Sequence, residues 1–217
     1  MLTFSFKPYE GKPGTIRNVV FDIGNVLSDF RWKEAIEDCS FPKETADFLA
    51  RTVFLGDLWP EYDRGVMGDA KVTALLRERC AGYEREFDEL FRHFGEFVRE
   101  REYAQPLVAG LRKAGYRVYI LSNYGDTMFQ SNCRYFRFLP ETDGAVFSWL
   151  EKRIKPDRRL YEILLERYGL KGEECLFLDD SQANVDGAIN AGLCAMQAES
   201  LEMILQALED HGILPES

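Results

Sequence analysis

Histidine is scarce: His93 and His211 are the two in 217 residues, both in helical segments rich in charge, and neither is assigned a catalytic role. The five cysteines (Cys39, Cys80, Cys133, Cys175, Cys194) form an odd number with no C-x-x-C pair. That argues against a disulfide framework and against a zinc site, and fits reduced thiols in a cytoplasm. No apolar run approaches the ~20 residues that cross a bilayer. The first fifteen residues, with Lys7, Glu10 and Lys12, lack the apolar block of a signal peptide. A cytoplasmic protein with no membrane partner is therefore expected. Basic residues are outnumbered, 27 Lys and Arg against 37 Asp and Glu, and form no stripe. The net charge of −10 disfavours nucleic acid as a partner, and a phosphorylated ligand would need local help, most simply a metal ion. Internal repeats and low-complexity segments are also missing.

What is there is a globular composition, 46% hydrophobic and 29% charged, long enough for one large domain or a core with an insert. After a lead-in punctuated by Pro8, Gly11, Pro13 and Gly14, the residues Val19-Val20-Phe21 run unbroken into Asp22, followed at once by Gly24 and Asn25. This reads as a buried strand ending on a carboxylate. Helical spacing then dominates over residues 32–39, 43–55, 70–80 and 84–102. In the last of these Phe87, Leu90, Phe91, Phe94, Phe97 and Val98 form a wide apolar stripe suited to packing a bundle. Residues 56–65 read as a polar connection bounded by glycine and proline.

From Pro106 onward helix and strand alternate. Strands are expected at 117–121, 144–148, 175–178 and 193–197, and helices at 106–114, 155–168, 184–191 and 200–209, with Pro156 in a helix's first turn. Such alternation means right-handed crossovers and a parallel sheet. The expected architecture is a three-layer α/β, Rossmann-like core formed by residues 1–28 and 104–217, with residues 29–103 inserted as a helical cap.

Four polar sites fall at or just beyond the hydrophobic runs: Asp22, Ser122-Asn123, Lys155, and Asp179-Asp180 with Asn184. Parallel strands bring their C-terminal ends to one edge, so these sites can share a crevice. The residue types suit phosphate chemistry: a carboxylate nucleophile, a hydroxyl and an amide to hold phosphate oxygens, a lysine for developing charge, and paired carboxylates for Mg²⁺. Taken singly, each has a plainer explanation as a helix cap, a turn or a surface lysine. Their ordered recurrence favours the functional one.

The ordered set Val19-Val20-Phe21-Asp22-Ile23-Gly24-Asn25, Leu121-Ser122-Asn123, Ile154-Lys155-Pro156-Asp157 and Phe177-Leu178-Asp179-Asp180-Ser181-Gln182-Ala183-Asn184 resembles the haloacid dehalogenase superfamily, in its phosphatase-like branch with a helical cap. The resemblance implies that Asp22 is a nucleophile forming an aspartyl-phosphate. It implies that Ser122 and Asn123 hold the phosphoryl group and that Lys155 neutralises it. Mg²⁺ would be held by Asp22, the backbone carbonyl of Gly24 and Asp180, with Asp179 helping directly or through water. Asn184 would orient the acidic pair or its waters, and Asn25 belongs to the same supporting set. Arg64, in the polar connection, reads first as a surface arginine and second as a residue that reaches a substrate from above. Trp32, Trp59 and Tyr124 are candidates to wall a sugar pocket or simply to pack.

One position departs from the family pattern. Most phosphatases of this kind carry a second aspartate two residues after the nucleophile, which protonates the leaving group; here that position is Gly24. The Asp-x-Gly-Asn-Val form resembles a smaller group that includes bacterial phosphatases of sugar 1-phosphates, whose anomeric oxygen leaves with less help. Three readings stay open: a Mg²⁺-dependent phosphatase of small phosphorylated metabolites, a metal-independent haloacid dehalogenase, and a non-catalytic phosphate-binding or regulatory protein. The acidic pair counts against the second. As a family-level expectation the chain is a monomer or weak homodimer.

Overall fold

The computed structural model describes residues 2–12 and 14–216; Pro13, one of the expected turn residues of the lead-in, lies outside the described residues. Five strands form one parallel sheet: β1 (Asn18–Phe21), β4 (Arg117–Ser122), β5 (Gly144–Phe147), β6 (Cys175–Asp179) and β7 (Cys194–Gln197), in the order β5-β4-β1-β6-β7. β1 lies between β4 and β6, with Phe21 opposite Ile120 and Leu178. Asp22 therefore leaves the sheet at its middle, and its backbone N–H still donates to Leu178 O at 3.0 Å.

Both faces of the sheet are covered, which is why its strands read as continuous apolar runs. Val19, Phe21, Ile120 and Leu178 pack into one apolar cluster with α6 (Ala104–Lys113) and α11 (Leu201–Asp210). Val20, Tyr119, Leu121 and Phe177 pack into another with α9 (Arg158–Tyr168) and α10 (Gln182–Asn190). The alternate residues of β1 thus point to opposite layers, as the two-residue strand period requires. Two short helices, α7 (Asp126–Asn132) and α8 (Ser148–Glu151), follow β4 and β5. Among the described residues no helix is long and apolar enough to cross a membrane.

The chain between β1 and α6 is largely helical: α1 (Trp32–Asp38), α2 (Lys43–Leu49), which widens into a π-helical turn at Ala50–Phe54, α3 (Leu58–Arg64), α4 (Asp69–Arg79) and α5 (Glu84–Arg92). Its two ends are joined by an antiparallel ribbon of β2 (Ser28–Phe30) and β3 (Val98–Glu100).

Three sequence expectations need correction. Residues 84–102 are not one helix: α5 stops at Arg92, Phe94–Glu96 make a 3₁₀ turn, and Val98 enters β3. Gly95 weakens helix continuation there and β2 offers an unpaired edge. The apolar stripe survives the change of backbone, because Phe87, Phe91, Phe94 and Phe97 still meet ring to ring at 4.2, 5.3 and 5.4 Å. Second, residues 58–64 are helical rather than a connection. Pro60 sits in the first turn of α3, where its missing N–H would have had no helical partner, and Gly65 ends the helix in the left-handed conformation at φ 68°. Third, the helix expected from residue 155 begins at Arg158, capped by Asp157, whose carboxylate accepts from Arg159 N at 2.9 Å.

α3 is fastened to the α/β layers at three points. Tyr62 OH accepts from Met128 N at 3.2 Å, Ser148 Oγ donates to Asp63 O at 2.6 Å, and Lys152 Nζ donates to Gly65 O at 2.9 Å. The Tyr62 ring lies so close to Gly125 that a Cβ there would overlap it. Gly125→Ala is accordingly expected to cost ~1–3 kcal/mol of stability. A urea titration reads this as a lower midpoint, and an unchanged midpoint would show that α3 does not press on that backbone.

Candidate active site

Each strand end contributes one part of the site, and Lys155 joins three of them. Its ammonium donates to Leu121 O of β4 at 2.9 Å and to Asp179 Oδ2 of β6 at 2.6 Å, and lies 2.9 Å from Asp22 Oδ1 just beyond β1. All three groups are buried, with relative exposures of 3% for Lys155, 8% for Asp22 and 0% for Asp179. Burial opposes the lysine's charge, but Asp179 and Asp22 outweigh it and hold the ammonium above its ordinary pKa. Asn123 fixes the lysine from the side: its Oδ1 accepts from Lys155 N at 2.8 Å and its Nδ2 donates to Lys155 O at 3.2 Å. Asn123 also lines the cavity, and the second N–H of its amide is not engaged by the lysine backbone. Ser122 is fully buried at the end of β4, and its hydroxyl makes one long approach, 3.5 Å to Asn123 O.

The acidic pair divides its work. Asp179 Oδ1 accepts from Ser181 N and Asn184 Nδ2, both at 2.9 Å, while its other oxygen takes the lysine. Asn184 thus braces Asp179 from the helix that follows β6. Asp179, with three N–H donors on it, is first a structural acceptor. Asp180 is half-buried and freer. Asn25 Nδ2 donates to its Oδ2 at 2.9 Å, and Gln197, from the end of β7, donates to its backbone carbonyl at 2.8 Å. Asn25 adopts φ 55°, a conformation that asparagine tolerates better than most residues.

One carboxylate oxygen from each of Asp22, Asp179 and Asp180 lies within 4.8 Å of the others. Asp22 Oδ1 is buried with no hydrogen bond of acceptable geometry among the described residues, its approach to Lys155 being an ion-pair contact only. Three carboxylates against one ammonium leave an excess of negative charge. Burial pushes Asp22 up to about 7, with Asp179 and Asp180 adding to the rise and Lys155 opposing it. Burial likewise raises Asp180. Hard oxygen donors gathered from three carboxylates and a surplus of negative charge fit a divalent cation such as Mg²⁺.

Above these groups lies a cavity of ≈ 180 Å³, small beside the ~300–1,000 Å³ of pockets for drug-sized ligands. Asp22, Gly24, Lys155 and Asp180 line it on the sheet side, and Phe30, Trp59 and Asp63 on the helical side, with Tyr124 between. The Tyr124 hydroxyl is buried and has no hydrogen-bond partner among the described residues. Trp32 stacks on Phe54 at 5.0 Å and is not part of the lining. Arg64 pairs with Glu61 at 3.0 Å and is not among the residues lining the cavity, the surface placement that its sequence context favours. Its neighbour Asp63 does line it, and sequence reasoning passed over it. Within 56–65 it is one of several alternating charges, and only the register of a helix not expected there singles it out.

Asp63 is half-buried and has no hydrogen bond or ion pair on its carboxylate among the described residues. Burial pushes its pKa from the ordinary 3.8 up to about 8, Asp22 and Asp69 raise it further, and Lys155 opposes them. A carboxyl whose folded pKa is raised stabilises the fold below its unfolded pKa, and that stability is lost as pH rises through the folded pKa. In metal-free protein, Asp63→Asn is expected to match the wild type near pH 4 and to exceed its stability at pH 8. Urea midpoints at the two pH values measure this, and a difference that does not change with pH would refute it.

A family profile for the haloacid dehalogenase-like hydrolases matches residues 16–192. The chain is 29% identical over 196 residues to Phosphatase MT3486 of Mycobacterium tuberculosis, covering 83% of this chain and 86% of that protein. Among solved structures it resembles a family enzyme of Bacteroides thetaiotaomicron in complex with magnesium and inorganic phosphate (TM-score 0.66, 21% identity, 84% of this chain and 93% of that one). It also resembles the L-2-haloacid dehalogenase of Xanthobacter autotrophicus with chloropropionic acid covalently bound (TM-score 0.62, 21% identity, 92% and 85%). At such identities the two structures speak for the fold, while the profile covers most of the chain. The chain belongs to the haloacid dehalogenase-like hydrolases.

Proposed function

We propose that this hydrolase is a Mg²⁺-dependent phosphatase of small phosphorylated metabolites, with Asp22 as the nucleophile and the helical residues 29–103 acting as a cap over it. The observation that carries the reading is the acidic cluster. Asp180 stands beside Asp179 with only Asn25 on its carboxylate, and an oxygen of Asp22 lies within 4.8 Å of one from each of them. A haloacid dehalogenase needs no such surplus of carboxylates. Relatedness to a mycobacterial phosphatase supports the same side of the family.

In this reading Asp22, Asp180 and the Gly24 backbone carbonyl hold the cation. When bound, it supplies charge neutralisation at phosphoryl oxygens. The chain's own residues do the rest. Asp22 attacks phosphorus and the ester P–O bond breaks, leaving an aspartyl-phosphate that water later hydrolyses. Lys155, its charge secured by Asp179, faces the phosphoryl oxygens as they gain charge, and the loosely engaged Ser122 hydroxyl turns to donate to one of them. The small cavity limits the leaving group to a compact one.

The test is release of inorganic phosphate from a panel of sugar phosphates and p-nitrophenyl phosphate, with Mg²⁺ and with chelator. Turnover is expected to need Mg²⁺ and to fall by ~10³-fold or more in Asp22→Asn. Turnover that survives chelation, or that persists in Asp22→Asn, would sink the reading.

A further inference from the structure

Gly24 leaves the leaving group without its usual acid, yet the space for one is there. A Cβ built on Gly24 would meet one atom within 4 Å, Asp22 Oδ2 at 3.8 Å, and Gly24 has no left-handed backbone to forbid a side chain. Neither crowding nor strain accounts for the glycine. The opposite wall of the cavity supplies what the position lacks. Asp63 lines that wall, its carboxyl has no partner among the described residues, and its helix is fastened on either side of it, at Tyr62 by Met128 and at Gly65 by Lys152. Its own backbone carbonyl is held by Ser148, and the same Ser148 hydroxyl accepts from Tyr124 N at 2.9 Å. Asp63 and the unpartnered Tyr124 hydroxyl therefore sit on one braced junction between helical block and sheet.

We infer that Asp63 is the general acid and base of the reaction, delivered from the helical block in place of the missing aspartate at position 24. The inference rests on the phosphatase reading. In the first half-reaction Asp22 forms its bond to phosphorus as the ester oxygen leaves, and that oxygen takes the Asp63 proton to depart as a neutral alcohol. In the second, Asp63 as carboxylate removes a proton from the water that attacks the phosphorylated Asp22. Inorganic phosphate leaves, Asp22 is a carboxylate again, and Asp63 regains its proton. The groups facing Asp63 suit this. Burial, Asp22 and Asp69 on α4 favour its acid form and Lys155 opposes it, which suits a proton donor. Glycine at position 24 suits a leaving oxygen that gains less from a general acid, and Asp63 supplies that help from the other side of the cavity.

A leaving-group series separates a proton donor from a residue that only shapes the cavity. With Mg²⁺, kcat/KM is measured for p-nitrophenyl, phenyl and benzyl phosphate in the wild type, Asp63→Asn and Asp63→Asn with Gly24→Asp. Because kcat/KM reads transfer to Asp22, the loss in Asp63→Asn is expected to grow along the series. It should be at least ~100-fold larger for benzyl than for p-nitrophenyl phosphate, within the 10²–10⁴-fold range of general acid catalysis. Gly24→Asp is expected to restore the benzyl ester. Equal losses across the series, or none, overturn the inference while leaving the phosphatase reading intact. A wild type that releases phosphate from none of these esters or the sugar phosphates removes that reading, and this inference with it.

Discussion

A lysine charge with almost no water around it is the constraint on which the sheet's active edge depends. An ammonium has three N–H donors, and at Lys155 they face a β4 carbonyl, a β6 carboxylate and the carboxylate beyond β1. Three adjacent strands thus end on one point charge. Removing it would leave Asp22 and Asp179 buried and unpaired, a loss of the order of several kcal/mol for a buried pair broken on one side. The arrangement also explains the reciprocal bonds from Asn123. A charge that organises three strands must itself be held, and an amide clasping its backbone does so without competing for its ammonium.

The same geometry shows why the centre of the site was legible in the sequence. Asp22, Ser122, Lys155 and Asp179-Asp180 lie at or just after strongly apolar strands, and parallel strands carry their ends to a common edge whatever the distance in sequence. The strands themselves, buried on both faces, announced their positions. Contributions from the helical block were not legible in that way. Asp63 and Arg64 are adjacent charges in a polar stretch, and which one faces the cavity depends on a helix that Pro60 and two bounding glycines concealed. Val98 follows the phenylalanines at helical spacing in the sequence, and only the pairing of β3 with β2 shows that the backbone changes there. The division of labour between Asp179 and Asp180 was equally invisible, since it follows from donors at Ser181, Asn184 and Asn25 that spacing cannot orient.

Enclosure does two kinds of work around the cavity. It raises the proton affinity of Asp22, Asp63 and Asp180 together, because three acids in a poorly hydrated space against one lysine cannot all ionise without cost. It also strengthens each remaining electrostatic contact, which is what a site for charged ligands requires. The acidity of the whole chain therefore does not decide what this cavity binds, since its own local balance of charge does.

The β2–β3 ribbon has a mechanical consequence. Because the chain enters and leaves the helical block through two strands bonded to each other, both covalent connections of the block run through one strap, beside the contacts that α3 makes. Arg101 rivets that strap to Asp29 and to Glu199 O. Asn25 sits at its root, accepting from Phe30 N at 3.3 Å with one end of its amide and donating to Asp180 with the other. Lifting the strap would slacken the amide that aims Asp180, so the posture of the block and the hold on any cation at Asp180 are thermodynamically linked. By reciprocity, a cation seated there steadies the strap in return.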